Sequence, residues 1–377
     1  MILAQVINEF LELDGEDYDI VKISEIKGSP IIKYTSSYFV GTLKKAEYIP
    51  EKLHKQAGFF IRNTMNTVMK IIGLDVAYCN KLFNHFAKWF LSFQKFIDRY
   101  NLPEKYFKEY YYAAFSGLFI LIFGKIKKFK LYDIIVRLWI LMNNKEDFEF
   151  FVGEHFINSE KRLEFFEKSK DSPIIDCFKN IEKMGLSEKK KDGLYMRFYK
   201  LFMFSYKVDR GEGEGEVEVE VEGEFEILKN CCLKAKKALD IFFYAIDYEK
   251  NKKDAYKIFH VSLIFQLLDD LMDIRKDKGK GKTTIFTGGV DKNTRNAVRL
   301  FQLIQKSQIM SDYGFKIFYE CLMFLIIDFN SEFFEAEFVR KIRGECSVMD
   351  LKYYNMRELD SIVESEIMKK IICIYLK

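Results

Sequence analysis

From Glu51 onward, apolar residues recur at steps of three and four. Ile61, Met65, Val68, Met69 and Ile72 mark one such face, which predicts an amphipathic helix. Gly73 is a stop signal, and the pattern resumes from Val76 to Tyr100. Asn101-Leu102-Pro103 breaks it, and Pro103 suits the first turn of a following helix. The same periodicity predicts helices over 104–124, 130–143, 173–183, 193–207, 225–245, 253–276, 291–307, 312–329 and 350–375. Residues 1–50 differ: short β-branched runs are interrupted by Gly28-Ser29-Pro30 and Thr35-Ser36-Ser37, which reads as an irregular or capping segment. No stretch alternates strands with helices and no internal repeat is evident. The expected architecture is an all-α bundle over 51–377 behind an N-terminal segment of 50 residues.

Composition supports this. The 377 residues include 38 Phe, 22 Tyr and 2 Trp, far too many aromatic side chains for a chain that stays unfolded. Only four prolines occur, and none follows Pro173, so little interrupts helices in the second half. The net charge of +4 is too balanced for a dedicated nucleic-acid binder. Seven scattered cysteines without a CxxC pair predict reduced thiols rather than a disulfide framework or a zinc site. The acidic N-terminus lacks the basic start and apolar core of a signal peptide. The longest apolar stretch, Ala113–Gly124, is shorter than the roughly 20 residues a bilayer requires. A cytoplasmic protein without a transmembrane segment is expected.

One segment stands apart. Residues 211–224 read GEGEGEVEVEVEGE, with seven glutamates in fourteen positions that repel each other and leave little to bury. A solvated acidic insertion over 209–225, between two helices, is the reading.

The chemistry concentrates in His260–Gly289, HVSLIFQLLDDLMDIRKDKGKGKTTIFTGG. Asp269 and Asp273 stand four apart and project from one helical face, with Asp270 about 100° round the axis. Ile264, Phe265, Leu267, Leu268, Leu271, Met272 and Ile274 surround them. Carboxylates at this spacing among apolar residues repel one another and lose solvation, a cost that a divalent cation between them relieves. Hard Mg²⁺ takes one or two carboxylates together with water and phosphate oxygens. The segment that follows, from Arg275 to Lys282, carries five cations and one acid. A cationic loop beside a carboxylate cluster suits a diphosphate group. The phrase GKGKTT is not a P-loop: Lys276 stands where its first glycine belongs, and a helix, not a strand, precedes it.

The whole phrase, Phe265-Gln266, Asp269-Asp270, Asp273, then Lys282-Thr283, resembles the second aspartate-rich region of trans-isoprenyl diphosphate synthases. The resemblance covers residues 229–289 and includes Lys229, 40 positions before Asp269, where that family places a diphosphate-binding lysine. It implies a class I isoprenoid synthase fold, a helical bundle around an apolar cavity with two aspartate-rich motifs at its mouth. It implies Mg²⁺ as cofactor and an allylic prenyl diphosphate as substrate, ionised at its carbon–oxygen bond, with isopentenyl diphosphate as a candidate co-substrate. Carried over residue by residue, it makes Asp269, Asp270 and Asp273 metal ligands, the first two also catalytic. Lys282, Lys229 and Gln266 would serve the diphosphate. A homo- or heterodimer is a candidate assembly, which the sequence does not decide.

The first motif departs from the family. In LSFQKFIDRY (91–100), Gln94 and Lys95 stand where paired aspartates fall and only Asp98 remains, a weak metal ligand beside a cation that repels metal. Arg62, 36 positions before Asp98, corresponds to the basic residue preceding the first motif. The alternative reading is a non-catalytic regulatory or partner subunit of the same fold that has lost this motif. The Asn/Ser/Glu triad of cyclising microbial terpene synthases does not follow; Asp328-Phe329-Asn330-Ser331-Glu332 has some of its residues at another spacing. His54, His85, His155 and His260 form no ligand pairs, Trp89 and Trp139 read as core, and Lys189–Lys191 as a solvated turn. The aromatic run Phe148–Phe156 is equally consistent with a prenyl pocket and with ordinary core.

Overall fold

The computed structural model describes residues 2–16, 48–71, 75–107, 109–110, 113, 129–144, 158–168, 172–209, 223–245, 252–306, 322–324, 326–348 and 366–376. Among them every regular element is helical. Helices α1 (Ile2–Leu11), α2 (His54–Ile71), α3 (Val76–Tyr100), α4 (Phe129–Asn143) and α5 (Ser159–Lys168) are followed by α6 (Pro173–Glu182) and α7 (Glu188–Asp209). The series continues with α8 (Glu224–Ala245), α9 (Lys252–Met272), α10 (Ile274–Gly279), α11 (Val290–Lys306), α12 (Ala336–Val348) and α13 (Glu366–Leu376). Short 3₁₀ turns occupy Glu51–Leu53 and Ser331–Phe333.

Several elements match the periodicity within a residue or two, including α3, α4, α6 and α11. The local chemistry is legible at α6: Ser172 accepts a hydrogen bond from the Ile175 amide and Pro173 occupies the first turn. Two expectations change. The first residues are helical rather than irregular, because Val6, Ile7 and Phe10 bury one face of α1 completely. The helix expected over 253–276 is interrupted at Asp273, whose backbone leaves helical ψ before α10 begins. The stretches expected to be helical over 114–124, 312–321 and 350–365 lie outside the described residues, as do Phe148–Phe156 and most of the acidic insertion.

The chain divides into two compact units, the first formed by Met1–Asn80, Val221–Ala235 and Asn251–Lys377, the second by Lys81–Glu220 and Lys236–Lys250. In the first, α1 packs against α9 and α11, and α9 against α11. The turn after α1 is pinned by Arg299 Nε on the Leu13 carbonyl (3.0 Å) and by Gln302 on Asp14 (2.6 Å). Gly15 there has φ +70° and lies so near Arg295 that a Cβ would stand 2.4 Å from its side chain; only glycine suits both conditions. Elsewhere in this unit α2 meets α13, with Gly58 close enough to the Ile374 carbonyl to exclude a side chain.

The second unit has an aromatic core. Phe93 stacks on Tyr110 at 4.0 Å and Trp89 on Tyr132 at 5.6 Å. Phe166, Phe178, Tyr195 and Phe198 form a second buried group. Two ionic groups lie within this core. Arg137 forks onto Asp133 (2.8 and 3.1 Å), which also accepts from the Tyr110 hydroxyl, while the guanidinium sits over the Phe93 and Phe96 rings. Arg162, 1% exposed, pairs with Asp192 at 2.7 Å and lies 4.0 Å from the Tyr195 ring centroid. A lone buried charge costs several kcal/mol, so such arginines require carboxylate partners.

Among the described residues, no helix is long and apolar enough to cross a membrane.

Candidate functional site

Helix α9 presents Leu263, Ile264, Leu267, Leu268 and Leu271 to the core of the first unit. Asp270 falls on that inward side and is 1% exposed. Asp269 is exposed and Asp273 half-exposed, so the three acids that share one sequence motif have three different environments.

Gln266, one turn earlier, bridges the adjacent pair: its Nε2 donates to Asp270 Oδ1 at 2.9 Å and to Asp269 Oδ2 at 3.4 Å. The other Asp270 oxygen lies 3.6 Å from Cys231 Sγ on α8, a weak thiol donor. Both oxygens of the buried carboxylate are therefore engaged by the chain. Asp273 Oδ2 accepts from Lys276 Nζ at 2.6 Å, an exposed pair whose contribution is small. Beyond α10, Lys282 Nζ donates to Asp277 Oδ2 at 3.1 Å, and Asp277 is 3% exposed. Arg275 turns away to Glu332 and the Phe329 carbonyl.

The electrostatics follow from these positions. Burial pushes the Asp270 carboxyl up to about 6, against the Gln266 hydrogen bond, which favours the anion; the Asp269 charge adds to the rise. Asp269 is raised too, by protein that displaces its solvent and then by the Asp273 charge, while Lys234, Lys282 and Lys276 act in the opposite sense. Because Asp269 is exposed, solvent screens its shift more than that of Asp270, and an ion from solution can reach it. Burial alone would lower the Lys282 ammonium, but its bond to Asp277 and the charges of Asp270 and Asp277 outweigh that and raise it. Lys276 is raised chiefly by its bond to Asp273. Cys231 is held far from thiolate by burial and by the Asp270 charge, so it is an inert donor and not a nucleophile.

No known protein family, curated protein or solved structure matches this chain.

Of the residues singled out in the sequence, Asp269, Asp270, Asp273, Gln266 and Lys282 share one electrostatic neighbourhood. Lys229 turns to Glu226 on its own helix at 2.9 Å. The α8 lysine whose charge reaches Asp269 is Lys234, five positions further on. Arg62 lies elsewhere in the first unit, donating to the Tyr375 carbonyl and sitting 5.9 Å from that ring, where it ties α2 to α13. Asp98 belongs to the second unit, is exposed near the end of α3, and accepts from Gln94 Nε2 at 2.7 Å. Lys234, Cys231 and Asp277 were not legible as site residues. For Asp277 the signal was present, since it is the one acid among the cations of 275–282.

Among the described residues, no three His, Cys, Asp or Glu side chains converge closely enough to hold one metal ion. Mg²⁺ asks for less, one or two carboxylates with the rest supplied by water and phosphate. The donor chemistry at Asp269 and Asp273 fits: two hard carboxylates one turn apart, each near the other's charge, Asp269 made more basic by displaced solvent and then by that repulsion.

Proposed function

We propose that this protein is a Mg²⁺-dependent enzyme of the class I isoprenoid kind, acting on an allylic prenyl diphosphate by chain elongation or terpene formation. The observation that supports it best is the setting of Asp269 and Asp270. A solvent-reachable carboxylate and a desolvated one stand side by side, both made more basic, within reach of the charges of Lys234, Lys276 and Lys282. An acid pair answered by lysines on three segments suits a ligand that brings cations and a polyanion together.

In this reading Asp269 and Asp273 hold Mg²⁺, which when bound would supply Lewis-acid pull on the diphosphate oxygens. The chain's own residues do the remaining work. Lys282, Lys276 and Lys234 neutralise diphosphate oxygens, and charge-assisted bonds of this type are about twice as strong as neutral ones. Gln266 reaches both carboxylates and holds the buried Asp270 the more closely, which orients that side chain before ligand arrives. Substituting both Asp269 and Asp270 by alanine should abolish Mg²⁺-dependent release of diphosphate from farnesyl or geranylgeranyl diphosphate. Unchanged turnover in that variant removes the assignment.

The hydrogen bond from Gln94 to Asp98 favours a second reading, a non-catalytic partner subunit of the same fold. The carboxylate left in the degenerate first motif is satisfied within its own helix. That reading predicts binding of prenyl diphosphate without turnover, and turnover only on addition of a complementary subunit.

A further inference from the structure

We infer that Asp277 is a positioning residue, which fixes the Lys282 ammonium beside the acidic end of α9 so that it meets an incoming oxyanion already in place. That the oxyanion is a diphosphate rests on the function proposed above; the positioning itself does not.

Three features of the loop carry this. Asp277 is 3% exposed, and its carboxylate accepts from Lys282 Nζ at 3.1 Å. The backbone closes around the same residue, with the Lys280 and Lys282 amides both donating to the Asp277 carbonyl, at 3.2 and 2.9 Å. Gly281, at φ +66°, supplies the reversal that brings residue 282 back to 277. One side-chain bond and two main-chain bonds thus define where Lys282 begins and where its amine ends.

The two lysine–aspartate pairs of this region contrast. Lys276 and Asp273 are 59% and 39% exposed, so either partner exchanges its bond for water at little cost. Asp277 in the other pair is 4% exposed at its side chain, against 55% for Lys282. A carboxylate so buried loses heavily if its cation leaves. Lys282 therefore keeps Asp277 and uses its other N–H donors outward, since an ammonium carries three. A lysine is ordinarily a mobile point charge on a flexible stem; here the buried acid removes that mobility before binding, which is the usual route from a weak anion contact to a strong one.

The test has two arms. In the absence of ligand, brief acylation of the folded protein followed by peptide mass spectrometry reads the accessibility and nucleophilicity of the Lys282 amine. Asp277→Asn should speed its acylation severalfold relative to Lys280, and Asp277→Glu, which keeps the charge on a longer stem, should restore much of the protection. Equal rates in the wild type and both variants overturn the inference. In the second arm, calorimetry measures inorganic diphosphate with Mg²⁺. D277N and Lys282→Met should each weaken binding about tenfold, and the double variant should be no weaker than K282M, because two residues acting through one amine are not additive. Where the wild type binds diphosphate, additive losses, or D277N binding as tightly, overturn it. Should wild type bind no diphosphate while D277N still exposes Lys282, the positioning stands and the proposed function falls.

Discussion

Asp270 is the most informative residue to perturb, because the same burial that suggests a role also makes it a liability. Its carboxyl rises from 3.8 to about 6, equivalent to about 3 kcal/mol of preference for the neutral form. Replacement by asparagine retains the shape, lets the side-chain oxygen go on accepting from Gln266, and removes the desolvated charge. The sign follows from linkage. A carboxyl whose native value lies above its unfolded value costs nothing while both states are protonated, below about 3.8; its stability contribution is lost as pH rises from there to about 6 and is constant beyond. Asp270→Asn should therefore match the wild type near the lower end of that window and become more stable by about 1–3 kcal/mol above it. Urea unfolding followed by circular dichroism, in a chelating buffer from about pH 4 to about pH 8, measures the difference. Its growth with pH, not its absolute size, is the diagnostic, since groups remote from Asp270 titrate alike in both proteins and cancel. A difference that is flat with pH, or a less stable variant, would refute a desolvated carboxylate at this position.

Two further expectations concern the scaffold. Arg137→Met leaves Asp133 buried without its cation and should cost about 3–5 kcal/mol in urea unfolding, part of it recovered when Asp133 is replaced by leucine as well, which takes the acceptor from the buried Tyr110 hydroxyl. If the double variant is no better than the single one, burial of the unpaired charge is not the reason. His260 is 5% exposed and its imidazole is lowered by burial, partly offset by Glu9, so the folded state resists its protonation. Its contribution is full above about 6.5 and falls as pH drops towards the lower native value; His260→Phe should flatten that part of the stability curve, and an unchanged slope would count against it.

How much of this was legible beforehand depends on the range of the forces involved. Helices α3, α4, α6 and α11 follow from residues three and four apart, from Ser172 and Pro173 at one boundary and from Asn101 and Pro103 at another. The spacing of Asp269, Asp270 and Asp273, and the cationic stretch after them, are likewise matters of a single turn of chain. Even so, the motif did not tell which acid would be buried. Asp270 faces inward and Asp269 outward because α9 packs with α1 and α11 around Leu263, Leu267 and Leu271.

The chain by itself determined an all-helical protein with one acid-rich, lysine-flanked helix end, since both are written in local periodicity and adjacency. Only the tertiary structure decided that Lys234 influences Asp269 while Lys229 pairs with Glu226, that Cys231 meets Asp270 across 39 positions of sequence, and that Arg62 serves the contact of α2 with α13. Which side of a helix turns to which neighbour depends on packing of the whole core. A carboxylate's affinity for a proton or an ion depends in turn on the solvent that packing removes.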